Sequence, residues 1–380
     1  MKKEEIIELL VRKALSSNNV DELNCPKEDS LFDLSNEDWA EVYNELVAQT
    51  IEGIPCEWVL EHLSIPDDVR SLWRQNRINQ VAKYYRLLQE QNELCQLMKG
   101  NGIPTVIMKG TASAMYYPDP SARSMGDIDF LVAQADYERA FRLMKDNGYQ
   151  LMFKEDHVNY HMTLGKNGFI YEIHRQPAGL PDGVEGDYLL DLIGDGLRKT
   201  EEIELESYLI PMLPWMQNGI VLLPHIVKHL RRGLGLRQII DWMMYVNREL
   251  HDDNWHGSMQ PILEKVGLET MAKSVTRMCQ IYLDLSEKEI TWCFDADENV
   301  CRDLMSYIMR QGNFGRKVLM EDRGARIVGG VNNPIQFFKL LQEKGLAAWD
   351  LVKKYPVLKM WHGYIRFADI SKNPCNAKIL

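Results

Sequence analysis

No two cysteines of this chain stand at a spacing that would close a zinc ribbon or a Cys-x-x-Cys dithiol. The seven thiols (Cys25, Cys56, Cys95, Cys279, Cys293, Cys301, Cys375) are scattered and odd in number, which suits a reducing cytoplasm. Positive charge is also scarce. Lys and Arg number 44 against 55 Asp and Glu, a formal net charge of -11, which makes the chain a poor generic partner for nucleic acid or a membrane surface, although a local basic patch could still serve one. No apolar run approaches the length of a membrane span. The opening Met1-Lys2-Lys3-Glu4-Glu5-Ile6-Ile7 carries acids where a signal peptide needs an apolar core, so a cytoplasmic location is expected. Internal repeats and low-complexity stretches are lacking too. What remains is a chain of 380 residues, 45% hydrophobic, long enough for a large core and two or three structural units.

The informative stretch runs from Ile103 to Arg175. Within it, Gly126-Asp127-Ile128-Asp129-Phe130-Leu131-Val132 reads as a short strand after a glycine. Alternation along a strand puts Asp127 and Asp129 on one face. Two carboxylates that close repel each other unless a cation lies between them. A hard divalent ion, Mg²⁺ with Mn²⁺ as its substitute, takes oxygen ligands and substrate phosphates together. A second strand is expected over 169–174, with Glu172 and His174 on one face and Tyr171 and Ile173 on the other. If the two strands are neighbours, Glu172 completes a three-carboxylate site.

A third strand over 105–108 ends at Lys109-Gly110-Thr111, and a short helix follows over 112–116. Strand, glycine, helix start is a phosphate-binding arrangement, in which backbone N–H groups and the helix dipole face the anion. Gly110 permits close backbone approach and Lys109 supplies charge. Arg123, four residues before Asp127, has the planar fork that suits phosphate; its competing reading is a salt bridge to the acids themselves.

Together, Lys109-Gly110, Arg123, Gly126-Asp127-Ile128-Asp129 and Glu172-Ile173-His174-Arg175 resemble the nucleotidyltransferase superfamily, closest to the family labelled uncharacterised nucleotidyltransferase. Thr111 stands where the superfamily pattern has a second small residue. The resemblance implies an α+β fold: a small mixed-sheet core over 101–210, an N-terminal helical segment over 1–100 and a C-terminal helical domain over 211–380. It implies transfer of a nucleotidyl group from an NTP, ATP first among them, to an acceptor hydroxyl or phosphate. Asp127 and Asp129 would bind the Mg²⁺ that bridges the triphosphate, and Glu172 would share a second metal or act as base on the acceptor. Lys109, Gly110, Thr111 and Arg123 would hold the nucleotide, with His174 and Arg175 as candidate substrate contacts.

Elsewhere helical spacing predicts helices over 2–16, 35–50 (Ser35 and Asp38 forming a capping box), 66–99, 136–147, 216–232, 236–250, 258–266, 269–283, 298–312 and 334–353. The long helix over 66–99 is expected to pack on the sheet. Strands are expected over 149–153 and 157–164, and residues 165–168 have hairpin chemistry. His157 and His161 would share a strand face, lining the pocket or lying on the surface. Residues 177–187 read as a loop, 203–210 as a strand or irregular connector, 17–30 as a loop and 371–380 as a frayed end.

The resemblance extends to 225–241, where His225 and His229 lie one helical turn apart and Arg237 and Asp241 repeat that spacing. They form either a helix-turn-helix joint with a buried Arg–Asp pair or a basic elbow that contacts nucleotide or acceptor. A zinc protease is a poor reading, because no Glu follows His225. A haloacid-dehalogenase-type phosphatase and a sugar transferase both need the apolar run before Asp-x-Asp, and here it comes after. Two readings of other kinds stay open: a non-catalytic nucleotide-binding regulatory protein, and a toxin-like enzyme modifying tRNA or protein.

Overall fold

Residues 3–15, 31, 34–153, 161–181, 183–315, 350, 351 and 353–355 are described by the computed structural model of the chain. The loop expected over 17–30, His157, most of the helix expected over 334–353 and the tail from 371 lie outside these residues. The fold is α+β. Two compact units are present: residues 1–43, 51–178 and 188–222 form the first, and 44–50, 179–187 and 223–380 the second. No helix among the described residues is long and apolar enough to cross a membrane.

α1 (Lys3–Leu15) and α2 (Asn36–Gln49), whose residues from 44 on count with the second unit, precede α3 (Cys56–His62) and the 34-residue α4 (Asp67–Gly100) of the first. The capping box closes as the sequence predicts: Ser35 N–H donates to Asp38 Oδ2 (2.9 Å) and Asp38 N–H to Ser35 Oγ (3.2 Å). Pro66 and the acids Asp67 and Asp68 open α4, where a missing N–H and negative charge suit a helix N-terminus.

A five-stranded sheet follows, formed by β1 (Thr105–Ile107), β2 (Ile128–Val132), β3 (Gln150–Phe153), β4 (His161–Lys166) and β5 (Phe169–His174) in the order β1-β2-β5-β4-β3. β2 and β5 run parallel, and the other neighbours antiparallel. The short α5 (Gly110–Ala114) leaves β1, and α6 (Tyr137–Asp146) joins β2 to β3. Lys166 pairs Phe169, so Asn167-Gly168 is a two-residue turn with positive φ at both positions (52° and 81°). One sheet face carries Ile128, Phe130, Tyr171 and Ile173. They are buried in a core with Tyr84, Leu87, Leu88 and Leu94 of α4 and with Ala140 and Met144 of α6, the long-helix packing that the sequence predicts. Tyr171 Oη and Asn167 Nδ2 both donate to Glu90 of α4 (2.7 and 2.8 Å), pinning the hairpin to that helix.

Two differences from the sequence reading have local causes. Residues 201–212 form a hairpin of β6 (Glu201–Leu205) and β7 (Tyr208–Met212), whose turn is Glu206-Ser207, both at positive φ without a glycine to announce it. The expected loop gives way at Val184 to α7 (Val184–Arg198), whose Gly186, Gly194 and Gly196 dilute the helical pattern while Leu189, Ile193 and Leu197 are buried at four-residue spacing. α3 was also absent from that reading.

The helix α8 (Trp215–Arg232) runs from the first unit into the second, where α9 (Leu236–Glu249), α10 (Asp252–Asn254), α11 (Gln260–Val266), α12 (Glu269–Leu283) and α13 (Glu298–Gln311) follow. This unit has its own core. Trp242 Nε1 donates to Thr276 Oγ1 (2.9 Å), Gln238 Nε2 to Asn313 Oδ1 (2.9 Å), and Trp255 stacks on Trp292 at 3.8 Å.

Candidate active site

The sheet face opposite the core carries the acids. Register pairs Asp129 directly with Glu172 across β2 and β5. Asp127, one residue before β2, lies on the same side. Donor oxygens of Asp127, Asp129 and Glu172 lie within 4.8 Å of one another. The cluster grades inward: Asp127 is exposed, Glu172 is partly covered, and Asp129 is 7% exposed.

Two cations close the buried end. Lys109 Nζ donates to Asp129 Oδ1 at 3.0 Å, and His174 Nε2 lies 2.9 Å from the same oxygen. Lys109 reaches inward because the chain turns sharply after β1. Its φ of 53° and ψ of -139° are rare for a residue with a side chain, and Gly110 follows at φ 40°. Such outliers persist where surrounding structure over-determines them. Here Met108 N–H donates to the Asp129 carbonyl (2.9 Å) and the Lys109 carbonyl accepts from Ser113 N–H (3.0 Å).

The electrostatics follow from this packing. Burial works against each charge, but neighbours decide the direction. Burial by itself would lower the Lys109 ammonium and the His174 imidazole. The carboxylates of Asp129, Asp127 and Glu172 outweigh it for Lys109, as those of Asp129 and Glu172 do for His174, and both are raised. Burial would raise Asp129, yet Lys109 and His174 hold it low, and the His161 and His174 imidazoles do the same for Glu172. Asp127 goes the other way. The negative charge of Asp129, then burial and Glu172, raise it, so the cluster carries more negative charge than its own cations balance at the exposed end. Hard oxygen donors of this spacing and this uncompensated charge fit a divalent cation such as Mg²⁺.

The loop ahead of Asp127 is held by one face of α4. Arg77 donates to the Ser121 carbonyl (3.0 Å) and pairs with Asp119, Gln80 Nε2 donates to the Ala122 carbonyl (2.8 Å), and Lys83 Nζ to the Met125 carbonyl (2.5 Å). The 3–4-residue spacing that makes a helix face thus delivers three donors to the segment that aims Asp127.

The structure brings together Asp127, Asp129, Glu172, Lys109 and His174. Several other sequence candidates have partners of their own in the fold. The Thr111 hydroxyl donates inward to Gln91 of α4 (2.7 Å). Arg123 is 5% exposed in the α4-held loop, near the Ser124 carbonyl (3.4 Å) and the Met125 sulfur (3.6 Å). Arg175, just past β5, lines a separate cavity of about 1110 Å³ with Leu131 and Leu190 and donates to Gln134 (3.3 Å). His225, His229, Arg237 and Asp241 belong to the second unit, where the Nε2 atoms of His225 and His229 are 3.0 Å apart and His229 packs edge-on against Phe314. Sequence reasoning left His161 undecided. It sits beside Glu172, a placement fixed by the β4–β5 register rather than by any local signal.

A family model described as "Uncharacterised nucleotidyltransferase" matches residues 35–284 of the 380. No curated protein matches the chain. Among solved structures, the crystal structure of an antigenic nucleotidyltransferase-like protein from Paracoccidioides brasiliensis is similar at 12% identity and a TM-score of 0.30. That match covers 49% of this chain and 91% of the other.

Proposed function

The chain belongs to the uncharacterised nucleotidyltransferase family, and on that premise we propose that it moves a nucleotidyl group from an NTP, ATP first among them, to an acceptor hydroxyl or phosphate in a Mg²⁺-dependent reaction. The observation that carries this reading is the convergence of Asp127, Asp129 and Glu172 on one face of the parallel β2–β5 pair. Those three carboxylates would hold the cation. When bound, the ion neutralises charge on the triphosphate and on the attacking and leaving oxygens.

The chain's own groups supply the rest. The strained Lys109-Gly110 turn presents backbone N–H groups toward an arriving phosphate, and Lys109 adds charge from the buried side. Thr111 contributes its backbone, since its hydroxyl is engaged by Gln91. Arg123, in the loop that α4 fixes, is proposed as a further phosphate contact on the strength of its planar fork. Glu172 is held ionised by its imidazole neighbours, which suits a ligand to the cation; a carboxyl held that low is a weak base, so sharing the metal is the role proposed for it rather than taking the acceptor's proton.

The test is incubation of the protein with each α-labelled NTP, Mg²⁺ and a cell extract. Label transferred to an acceptor by the natural protein and not by Asp127→Asn supports the assignment. Equal transfer by both proteins overturns it.

A further inference from the structure

The acid cluster has a second side. On β4, His161 lies directly opposite His174 of β5, and their rings meet with centroids 4.7 Å apart. Glu172, on the same face as His174, sits between them. Its Oε1 is 3.4 Å from His161 Nε2, and its Oε2 is 3.4 Å from His174 Nε2. These separations are longer than a well-formed hydrogen bond of about 2.9–3.0 Å. One carboxylate oxygen reaches each ring, so a single ion among the three side chains would need to draw them in only modestly to reach bonds of about 2.0–2.2 Å. Donor atoms of the three residues all lie within 4.8 Å of one another. His174 is 1% exposed, and the Nδ1 atoms of both rings have no hydrogen-bond partner among the described residues. Each ring can therefore carry its single proton on Nδ1 and present Nε2 as a lone pair.

We propose that His161, Glu172 and His174 form a second cation position that takes an imidazole-favouring ion of the first row (Zn²⁺ or Co²⁺) in preference to Mg²⁺. It rests on the transferase reading only in that Glu172 is common to both sites. The preference follows from donor chemistry. Imidazole suits transition ions, whereas Mg²⁺ takes oxygen and keeps its waters. Three protein ligands leave a position open to water or a substrate oxygen. On entry of the ion, the His174 imidazolium gives up its Nε2 proton to water and keeps the one on Nδ1, and Asp129 keeps Lys109 as its partner.

The full-length protein, stripped with a chelator, is titrated with Co²⁺ in excess Mg²⁺ and followed by visible ligand-field absorption. One equivalent of Co²⁺ with nitrogen ligation is expected, retained in Asp127→Asn and weakened at least about tenfold in His161→Ala and His161→Gln. Loss of a single metal-orienting partner already costs about 10–100-fold in affinity. Two substitutions are used because one that folds suffices, and His161 is partly exposed, so its replacement spares the core. Displacement of Co²⁺ by Mg²⁺, or natural affinity in a folded His161 variant, overturns the proposal. Tight Co²⁺ binding by a protein that transfers no nucleotide supports this site and counts against the transferase reading, which separates the two.

Discussion

Asp129 and His174 meet diagonally across the parallel β2–β5 pair, with His174 Nε2 2.9 Å from Asp129 Oδ1. Lys109 approaches the same oxygen from the turn after β1. Asp129 thus has two cationic neighbours in the protein, while Asp127, two residues earlier and exposed, has its charge opposed by Asp129 and Glu172. The pair divides the labour of the cluster: one carboxylate is fixed, the other is left wanting a cation.

That division predicts opposite effects for Asp127→Asn. Transfer should fall by about 10²-fold or more, the scale seen when one preorganised charge-stabilising group is removed. The thermal midpoint measured without divalent cation should not fall, because the substitution relieves repulsion without changing volume. A clear loss of stability would mean that Asp127 is an ordinary structural acid.

The β6–β7 turn offers a stabilising substitution. Glu206 and Ser207 sit at φ 51° and 67°, where a residue with a Cβ is strained by about 1–2 kcal/mol. Asn-Gly is the natural occupant of such a turn, as at Asn167-Gly168. Replacing Glu206-Ser207 by Asn-Gly should raise stability by about 1 kcal/mol in denaturant melts, and an unchanged midpoint would reject the turn assignment.

Much of this was readable from residues, and the limits have physical causes. The acid strands were legible because alternation is a local property: Asp127, Asp129 and Glu172 each stand in a short apolar run. The Asn167-Gly168 turn announced itself by composition. The β6–β7 turn did not, since Glu-Ser is an unusual occupant. The helix α7 was obscured by its glycines. His161 gained meaning only through the β4–β5 register, and the inward aim of Lys109 through a backbone turn at φ 53°. Long-range assembly was beyond local pattern as well: residues 44–50 and 179–187 join the unit formed by 223–380.

The α2 capping box predicts a pH effect. The Ser35 hydroxyl and then its backbone N–H hold the exposed Asp38 carboxyl below its ordinary value of 3.8. A depressed carboxyl stabilises the fold above the unfolded value and loses that contribution as pH falls through the folded one. Melting followed from neutral pH to below 3.8 should show this loss in the natural protein and a flatter response in Asp38→Asn. Ser35→Ala, which removes the hydroxyl that caps the Asp38 N–H, should cost about 1 kcal/mol at neutral pH. Identical acid profiles for Asp38→Asn and the natural chain would show that the box contributes nothing.

Lys109 is asked to do two things, and a double-substitution cycle can separate them. Its ammonium lies largely buried against Asp129, so Lys109→Ala strands a carboxylate that is 7% exposed. Breaking a buried pair from one side costs about 3–5 kcal/mol; with His174 still beside Asp129, the lower end is expected. Adding Asp129→Asn removes the stranded charge and should restore part of that stability. Nucleotide affinity should behave differently. If Lys109 also meets the triphosphate, Lys109→Ala weakens NTP binding by about tenfold, equivalent to about 1.4 kcal/mol, and Asp129→Asn does not bring it back. Calorimetry of NTP binding beside denaturant melts reads both legs of the cycle. Recovery of affinity in step with stability would show that Lys109 acts on nucleotide only by holding Asp129, and that the phosphate contact comes from the Gly110 turn alone.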